Sequence, residues 1–274
     1  MYDITSSIVI YENDENELAG AINSFLNTTL HVKLYLVDNS PTNFLEKLAT
    51  DPRVDYRFLN KNIGFGAAHN IVLSEVLEKS KYHLVLNPDV TFEAGTLESI
   101  YTFMESNPDI GQVLPKVYYK NGELQKLCKL LPTPQDLIIR RLLGDSGIFR
   151  KRKEEYELSG FDYNHILNIP NLSGCFMFLR TKVLKETGFF DTRYFMYLED
   201  VDLTRRIHRV SETVFFPAVS IIHGYKKESY INKVLLSYHV KSAIKYFNKW
   251  GWVWDKERKE ANKRVLQRIA ALGR

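Results

Sequence analysis

From Ser6 to Ser106, short apolar runs alternate with stretches whose apolar residues recur every three or four positions. SSIVIY (6–11) predicts a strand, and after the polar loop ENDENE a helix carries Leu18, Ile22 and Phe25 on one side. VKLYLVDNS (32–40) and YRFLNK (56–61) predict the next two strands, and NIGFGAAHN leads into a helix running to about Glu78. YHLVLN (82–87) predicts a fourth strand and TLESIYTFMES (96–106) another helix. Strands and helices alternating at this spacing build βαβ units and a parallel sheet. Such sheets bind ligands beyond the carboxyl ends of their strands, and three of those ends carry Glu12, Asp38 and Asp89.

The segment LVLNPDV (84–90) shows the pattern most sharply. Pro88 cannot donate to a ladder, so the strand stops there and presents Asp89. Asn, Pro and Asp are also ordinary turn residues, and from this stretch alone a plain turn accounts for them. Beyond Pro115, KVYYKNGELQKL predicts a hairpin turning at Asn121-Gly122. Residues 132–168 have no strong period and read as a mobile excursion, with a short amphipathic stretch at DLIIRRLL. SGCFMFLR (173–180) predicts an apolar strand, and TKVLKETG a helix closed by Gly188. TVFFPAVSIIHG (213–224) predicts two short strands ending at His223.

The densest cluster of chemistry is GFFDTRYFMYLEDVDLTRRIHRV. Asp191, Glu199, Asp200 and Asp202 crowd beside Phe189, Phe190, Tyr194, Phe195 and Tyr197. A helix starting near Leu198 puts Glu199 and Asp200 in its first turn, where acids favour the helix dipole, and lets Asp202 pair with Arg206. The same acids among aromatics at a loop-to-helix corner suit a raised pKa, which a carboxylate accepting a proton from a hydroxyl needs. The cluster itself leaves both readings open. His223 adds a polar group at a strand end, and imidazole with the Asp89 carboxylate suits Mg²⁺ or Mn²⁺ bridging two phosphates.

The 274 residues fit one large α/β domain, or a domain with a C-terminal extension. No apolar run is long enough to span a membrane, and MYDITSSIVIY lacks the features of a signal peptide. Cys128 and Cys175, the only cysteines, form no metal-ligand spacing, which suggests a reducing, cytoplasmic compartment. The net charge of +4 is unevenly placed: RKRK at 150–153 is one basic cluster, and Asp255 to Arg274 holds seven Lys/Arg against three acids. A nucleic-acid binder would use those patches but has no use for acids at three strand ends, so no nucleic-acid partner is expected.

Taken together, IVIYENDENEL, VDNSP, NKNIGFGAAHN, LVLNPDV, SGCFMFLR, FFDTRYFMYLEDVDLTRRIHR and VFFPAVSIIHGYKKES occur in an order and spacing that resemble the inverting glycosyltransferases of family 2. Within that family they resemble the bacterial rhamnosyltransferase-like branch, and the likeness covers about residues 6–230. It implies the GT-A fold: a Rossmann-like, mostly parallel central sheet flanked by helices. A nucleotide-sugar half (about 1–115) and an acceptor half (about 116–250) would precede a basic C-terminal helix (251–274). The implied metal motif is usually written DXD; here Asn87 replaces its first acid, leaving Asp89 and His223 to hold the cation at the diphosphate. Asp38 matches the acid that reads a pyrimidine base, and Tyr11 and Glu12 fall where the first loop lines base and ribose. Asn62, Gly64, Phe65, Gly66 and Asn70 correspond to the segment packing on the nucleotide sugar, and Asn87 and Asp191 are placed with the donor. Asp200, paired with Glu199, matches the general base.

The resemblance implies a single displacement with inversion, with dTDP-β-L-rhamnose as favoured donor and a UDP-hexose as alternative. The acceptor would be a hydroxyl on a cell-surface glycan or lipid-linked precursor, so the enzyme would visit the cytoplasmic membrane face. The tail predicts a helix with Val265, Leu266, Ile269 and Leu272 on one side flanked by Lys and Arg, suited to a headgroup layer. Packing on the body or in a homodimer is the competing expectation for that side. Without a metal, Lys226 and Lys227 are the alternative groups for the leaving diphosphate. A non-catalytic nucleotide-binding module would need no acid pair. A nucleotidyltransferase would open with a glycine-rich phosphate loop, which YENDENE is not.

Overall fold

The computed structural model describes residues 1–139, 147–224 and 233–272. The first half alternates as its pattern predicts: β1 (Tyr2–Ile10), α1 (Glu15–Leu26), β2 (Val32–Asp38), β3 (Val54–Phe58), α2 (Phe65–Val76), β4 (Ser80–Leu86), β5 (Val90–Phe92) and α3 (Thr96–Ser106). Then come β6 (Ile110–Tyr118), a π-helical turn (Gln135–Ile139), α4 (Gly147–Tyr156), β7 (Leu167–Asn168), β8 (Phe176–Arg180) and α5 (Thr181–Thr187). The chain continues through α6 (Glu199–His208), β9 (Glu212–His223), α7 (Lys233–Trp250) and α8 (Lys256–Leu272).

Among the described residues these strands form one sheet in the order β3-β2-β1-β4-β8-β6-β9-β5, with β7 beside β9. β3, β2, β1 and β4 run parallel, and the antiparallel β8 joins them to the parallel pair β6 and β9. The sheet is buried on both faces, so β1, β2 and β4 read as near-continuous apolar runs. One sheet therefore passes through both sequence halves and ties their strand ends to a common edge.

The structure corrects the pattern in several places. β6 was hidden by Pro115, which sits inside the strand where its register against β9 shifts. A proline is tolerated at such an irregularity because no ladder N–H is required of it. β9 is one strand of 12 residues rather than two short ones. The Asn121-Gly122 turn is present, with Gly122 at φ 83° and Tyr118 bridged to Leu124.

The described part of 132–168 is packed rather than a loose excursion, since Tyr156, Leu158, Phe161 and Tyr163 are buried in the main core. Their aromatic bulk fills the core without helical or strand periodicity, which is why no period announced it. Arg152 of the basic RKRK run bonds the buried Asp136 carboxylate through Nε and Nη2 at 3.0 Å each. The tail helix α8 also lies on the body: Val265 is buried in the main core and Leu266 and Ile269 pack against it. Three of the four residues of that apolar side thus pack on protein, while Leu272 is 43% exposed. No described helix is long and apolar enough to cross a membrane.

Candidate active site

β4 ends at Leu86, and the short strand β5 then pairs antiparallel with the end of β9, setting Val90 opposite His223. Gly224 donates its N–H to the Asp89 carbonyl at 2.9 Å, closing the pairing. Asp89 Oδ1 consequently lies 3.5 Å from His223 Nε2. Gln125 fixes the imidazole from behind. Its Nε2 donates to the carbonyls of His223 and Tyr118 at 2.8 and 3.3 Å, which turns Oε1 toward His223 Nδ1 at 3.1 Å. An amide oxygen only accepts, so Nδ1 carries the hydrogen and Nε2 presents its lone pair toward Asp89. Burial holds this imidazole toward its neutral form, against the pull of the Asp89 carboxylate.

A neutral imidazole nitrogen beside a carboxylate oxygen is a donor set that fits a divalent cation completed by phosphate oxygens and water. No group of three or more His, Cys, Asp or Glu able to hold a metal exists among the described residues. The pair would therefore share a cation with a bound diphosphate rather than cage it alone. Lys226 and Lys227, the alternative groups, lie outside the described residues.

The acid pair sits where α6 begins. Tyr197 and Leu198 are both left-handed, at φ 68° and 67°, an arrangement uncommon for bulky residues that turns the chain sharply into the helix. Asp200 is half-buried, and both its oxygens accept backbone N–H groups: Oδ2 from Gly174 and Oδ1 from Val201, each at 2.9 Å. Burial nevertheless raises its pKa, partly offset by those N–H groups and the charge of Lys129. Glu199 is buried, and its Oε2 finds no hydrogen-bond partner among the described residues. Desolvation, and then the Asp200 charge, push the Glu199 carboxyl well above the usual range, which favours its protonated form.

Cys175 links the two clusters. Its carbonyl accepts the Asn87 N–H at 2.9 Å, tying the end of β4 to the segment that holds Asp200. Burial pushes its thiol up to about 12, and the charges of Asp89 and Asp200 both add to that rise. Cys175 thus feels the charges of both Asp89, which lies beside His223, and Asp200, although residues far apart in sequence supply them.

The glycine segment packs closely against the Phe189–Phe195 loop. Asn62 Oδ1 accepts the Gly64 N–H at 3.0 Å and shapes the loop. Gly64 has φ 90°, and a Cβ there would lie 2.4 Å from the Phe195 carbonyl oxygen, which also receives the Phe65 N–H at 3.1 Å. A Cβ on Gly66 would meet Phe190 Cβ at 2.8 Å. Asn70 makes one bond from Nδ2 and one to Oδ1 with the Phe190 backbone, so it braces that loop. This segment holds the Phe189–Phe195 loop and, through it, the acid pair.

Asp38 and Asp191 are each held by protein partners. Asp38 is fully buried, its Oδ2 accepting from Tyr56 Oη at 2.5 Å and its Oδ1 from the Ser40 N–H at 2.8 Å. It acts on the first loop through Ser40, whose Oγ accepts the Glu12 N–H at 2.9 Å. Tyr11 and Glu12 themselves are exposed on that loop, with Glu12 at φ 50°. Asp191 is clamped by Arg193 at 2.5 Å and Lys249 at 2.9 Å, which hold its carboxyl well below the usual range. Lys249 also reaches Asp202, fully buried between Arg206 and Trp250. Asp191 thus anchors the loop to α7.

Three contributors escape sequence reasoning. Gln125 lies in an ordinary polar stretch, and nothing marks it as the partner of a residue 98 positions away. Lys129 has no local signal either. Gly174 does leave one, a glycine just before an apolar strand. A Cβ there would lie 2.8 Å from Asp200 Cβ, so the acid can approach only a glycine.

Over 215 residues the chain is 25% identical to an N-acetylglucosaminyl-diphospho-decaprenol L-rhamnosyltransferase of Mycobacterium tuberculosis (strain ATCC 25618 / H37Rv), covering 72% of this chain and 68% of that protein. It is 26% identical over 226 residues to Rhamnosyltransferase WbbL of Escherichia coli (strain K12), covering 79% of this chain and 82% of that one. The crystal structure of GalNAc-T7 with UDP, GalNAc and Mn²⁺ superposes with a TM-score of 0.61 at 15% identity, over 82% of this chain and 44% of that chain. The chain spans less than half of that neighbour, and the likeness carries the fold alone. The family model for Glycosyl transferase family 2 matches residues 6–188, and with its GT-A fold the chain belongs to that family.

Proposed function

We propose that the protein is a metal-dependent inverting glycosyltransferase that moves L-rhamnose from dTDP-β-L-rhamnose to a hydroxyl of a lipid-linked bacterial glycan. The observation carrying this reading is Asp200: a half-buried carboxylate, aimed by two backbone N–H groups, whose charge reaches the same buried cysteine as that of Asp89 in the Asp89–His223 pair. A base at the start of α6 and a diphosphate-binding pair at the strand ends are what a single displacement requires. No enzyme nucleophile is needed.

In this reading the acceptor oxygen attacks the anomeric carbon while its proton passes to Asp200. The bond from that carbon to the diphosphate oxygen breaks, and its electron pair leaves with the diphosphate. A raised pKa makes Asp200 a better proton acceptor than an ordinary aspartate. Glu199, favoured in its neutral form, adds no second charge to repel the developing negative leaving group. Asp89 and His223 would hold Mg²⁺ or Mn²⁺, which when bound supplies positive charge to the diphosphate. Two rhamnosyltransferases among the relatives favour rhamnose as the sugar, and the half-buried Phe195 and Tyr197 are suited to its methyl group.

A thermal-shift panel of dTDP-β-L-rhamnose and UDP-hexoses, with and without Mn²⁺, tests the donor. NMR of the transferred anomeric centre tests the stereochemistry. Stabilisation by dTDP-β-L-rhamnose in Mn²⁺ and an α-linked product are expected. Preferential binding of a UDP-hexose would overturn the donor, and a β-linked rhamnoside would overturn the single displacement.

A further inference from the structure

The turn joining α7 to α8 carries three large apolar side chains outward. Trp252, Val253 and Trp254 are 40%, 66% and 86% exposed. Consecutive exposed aromatics on a soluble surface mark a surface that something covers. The turn is not loose. Gly251, at φ 99°, donates its N–H to the Phe247 carbonyl at 2.8 Å, and a Cβ there would strike the Trp254 carbonyl at 2.6 Å. The buried Asp255 takes Arg205 Nη1 and Nη2 at 2.8 and 2.7 Å and accepts the Arg258 N–H at 2.9 Å. Arg258 is itself buried and reaches the carbonyls of Trp252 and Val253. Trp252 Nε1 donates to Asn248 Oδ1 at 2.8 Å. The fold thus holds Trp254 and Val253 out in water on a fixed support, with the Trp252 ring beside them lying 5.2 Å from that of Phe247.

The charge beside them has one prevailing sign. Lys256, Lys259 and Lys263 are exposed along α8, spaced to share a face with the turn, and Lys259 Nζ lies 5.6 Å from the Trp254 ring. Glu260 is the exposed acid of this stretch and pairs loosely with Lys256 at 3.7 Å. Lys259 and Lys263 continue into a groove of about 540 Å³ that Arg152, Arg258, Asn262 and Leu266 also line. Glu155 is the acid among the described lining residues and is already paired with Arg152 at 2.9 Å. Projecting indoles bordered by lysines combine the two features that hold a protein on a negatively charged bilayer: aromatic rings at headgroup level and cations attracted to the surface.

We propose that the Trp252–Trp254 turn and the Lys256, Lys259 and Lys263 face of α8 form one docking surface for an anionic lipid bilayer. The opposite, apolar side of α8 is spent on the core, so the helix meets the bilayer through its lysines and presents the turn as the inserting element. The reading of a lipid-linked acceptor explains why the protein visits a membrane. Bilayer binding itself is measured without any transfer, so the two stand or fall separately.

The test uses the full chain and vesicles of phosphatidylglycerol mixed with phosphatidylcholine, against pure phosphatidylcholine, by co-sedimentation and by quenching of tryptophan with brominated acyl chains. The wild type sediments with the anionic vesicles and is quenched. Trp254→Ala lowers partitioning roughly tenfold without shifting Tm, because its side chain is almost wholly exposed. Lys259→Glu with Lys263→Glu lowers it by more than about twentyfold, and the remaining binding loses its salt dependence. Equal partitioning of wild type and Trp254→Ala, or no binding to anionic vesicles, overturns the proposal. A change of sedimentation mass in Trp254→Ala with vesicle binding intact would identify a second copy as the occupant and also overturn it.

Discussion

Asn70 holds Phe190 by both of its backbone polar groups: Nδ2 donates to the Phe190 carbonyl at 2.8 Å, and Oδ1 accepts the Phe190 N–H at 3.0 Å. A residue on α2 thereby fixes the loop that delivers Glu199 and Asp200 to the site. Asn70→Ala leaves two backbone groups of a part-buried loop unpaired, which costs about 1–3 kcal/mol for a lost buried partner. Urea denaturation should show that loss. Transfer should fall by more than donor affinity does, because the loop carries the base. Unchanged stability together with weakened donor binding would return Asn70 to the sugar.

Asp200→Asn keeps the shape of the side chain and removes the proton acceptor. Transfer is expected to fall by about 10²–10⁴, the usual cost of a lost general base. The donor dissociation constant should stay nearly unchanged. In the wild type the acid limb of kcat/KM should lie above the ordinary aspartate value of 3.8, since burial raises this carboxyl. Full turnover by the variant would move the role to Glu199.

Gly174→Ala places a methyl group 2.8 Å from Asp200 Cβ and 3.0 Å from Oδ2. The carboxylate must shift away and lose its bond from the Gly174 N–H. Transfer should drop at least about tenfold, as a small misplacement of a catalytic group costs up to about 10². The donor-induced Tm shift should remain. Wild-type kcat in this variant would show that the contact is not needed to aim the base.

Glu199→Gln tests the buried neutral carboxyl through pH. In the unfolded chain Glu199 titrates near 4.5, whereas burial and the neighbouring Asp200 charge raise it well above that in the fold. Below 4.5 both states hold the proton, and the group contributes no pH dependence to stability. As pH rises past 4.5 the unfolded chain releases the proton while the folded chain keeps it, so stability declines. The variant lacks this decline. Its Tm relative to wild type should climb as pH rises above 4.5 and level off once the folded group ionises, and a constant difference would mean that burial does not raise Glu199.

Asp89→Ala and His223→Ala should each weaken donor binding in Mn²⁺ and make little difference in EDTA, where the wild type falls to the affinity of the variants. The pair lies 3.5 Å apart and Gln125 presets its imidazole, so losing either member leaves a single protein ligand. Isothermal titration with dTDP-β-L-rhamnose reads this directly. Wild-type affinity unaffected by EDTA would remove the metal from the mechanism.

Local pattern is a good guide to the first half of this chain. Its strands and helices alternate as periodicity requires, α3 matches TLESIYTFMES residue for residue, and Gly188 ends α5 because it takes φ 74°. The acids at the strand ends are equally visible, since in a parallel sheet the ladder leaves those positions at one edge. The start of α6 after Leu198 was also legible, because acids gather in a first helical turn.

Which acid meets which partner was decided only by tertiary structure. β5 has 3 residues, too short for any period to announce, yet its pairing with β9 sets Asp89 beside His223. Asp38, Asp191 and Asp200 look alike in sequence, but Tyr56 and Ser40 consume the first, Lys249 and Arg193 the second, and backbone N–H groups orient the third. Local composition sets the type of each side chain. Its charge state and direction depend on groups tens of residues away, because desolvation and hydrogen bonding act through space. The same holds for α8: its amphipathic pattern determines a helix with one apolar side, and only packing decides that this side meets the core while Trp254 faces solvent.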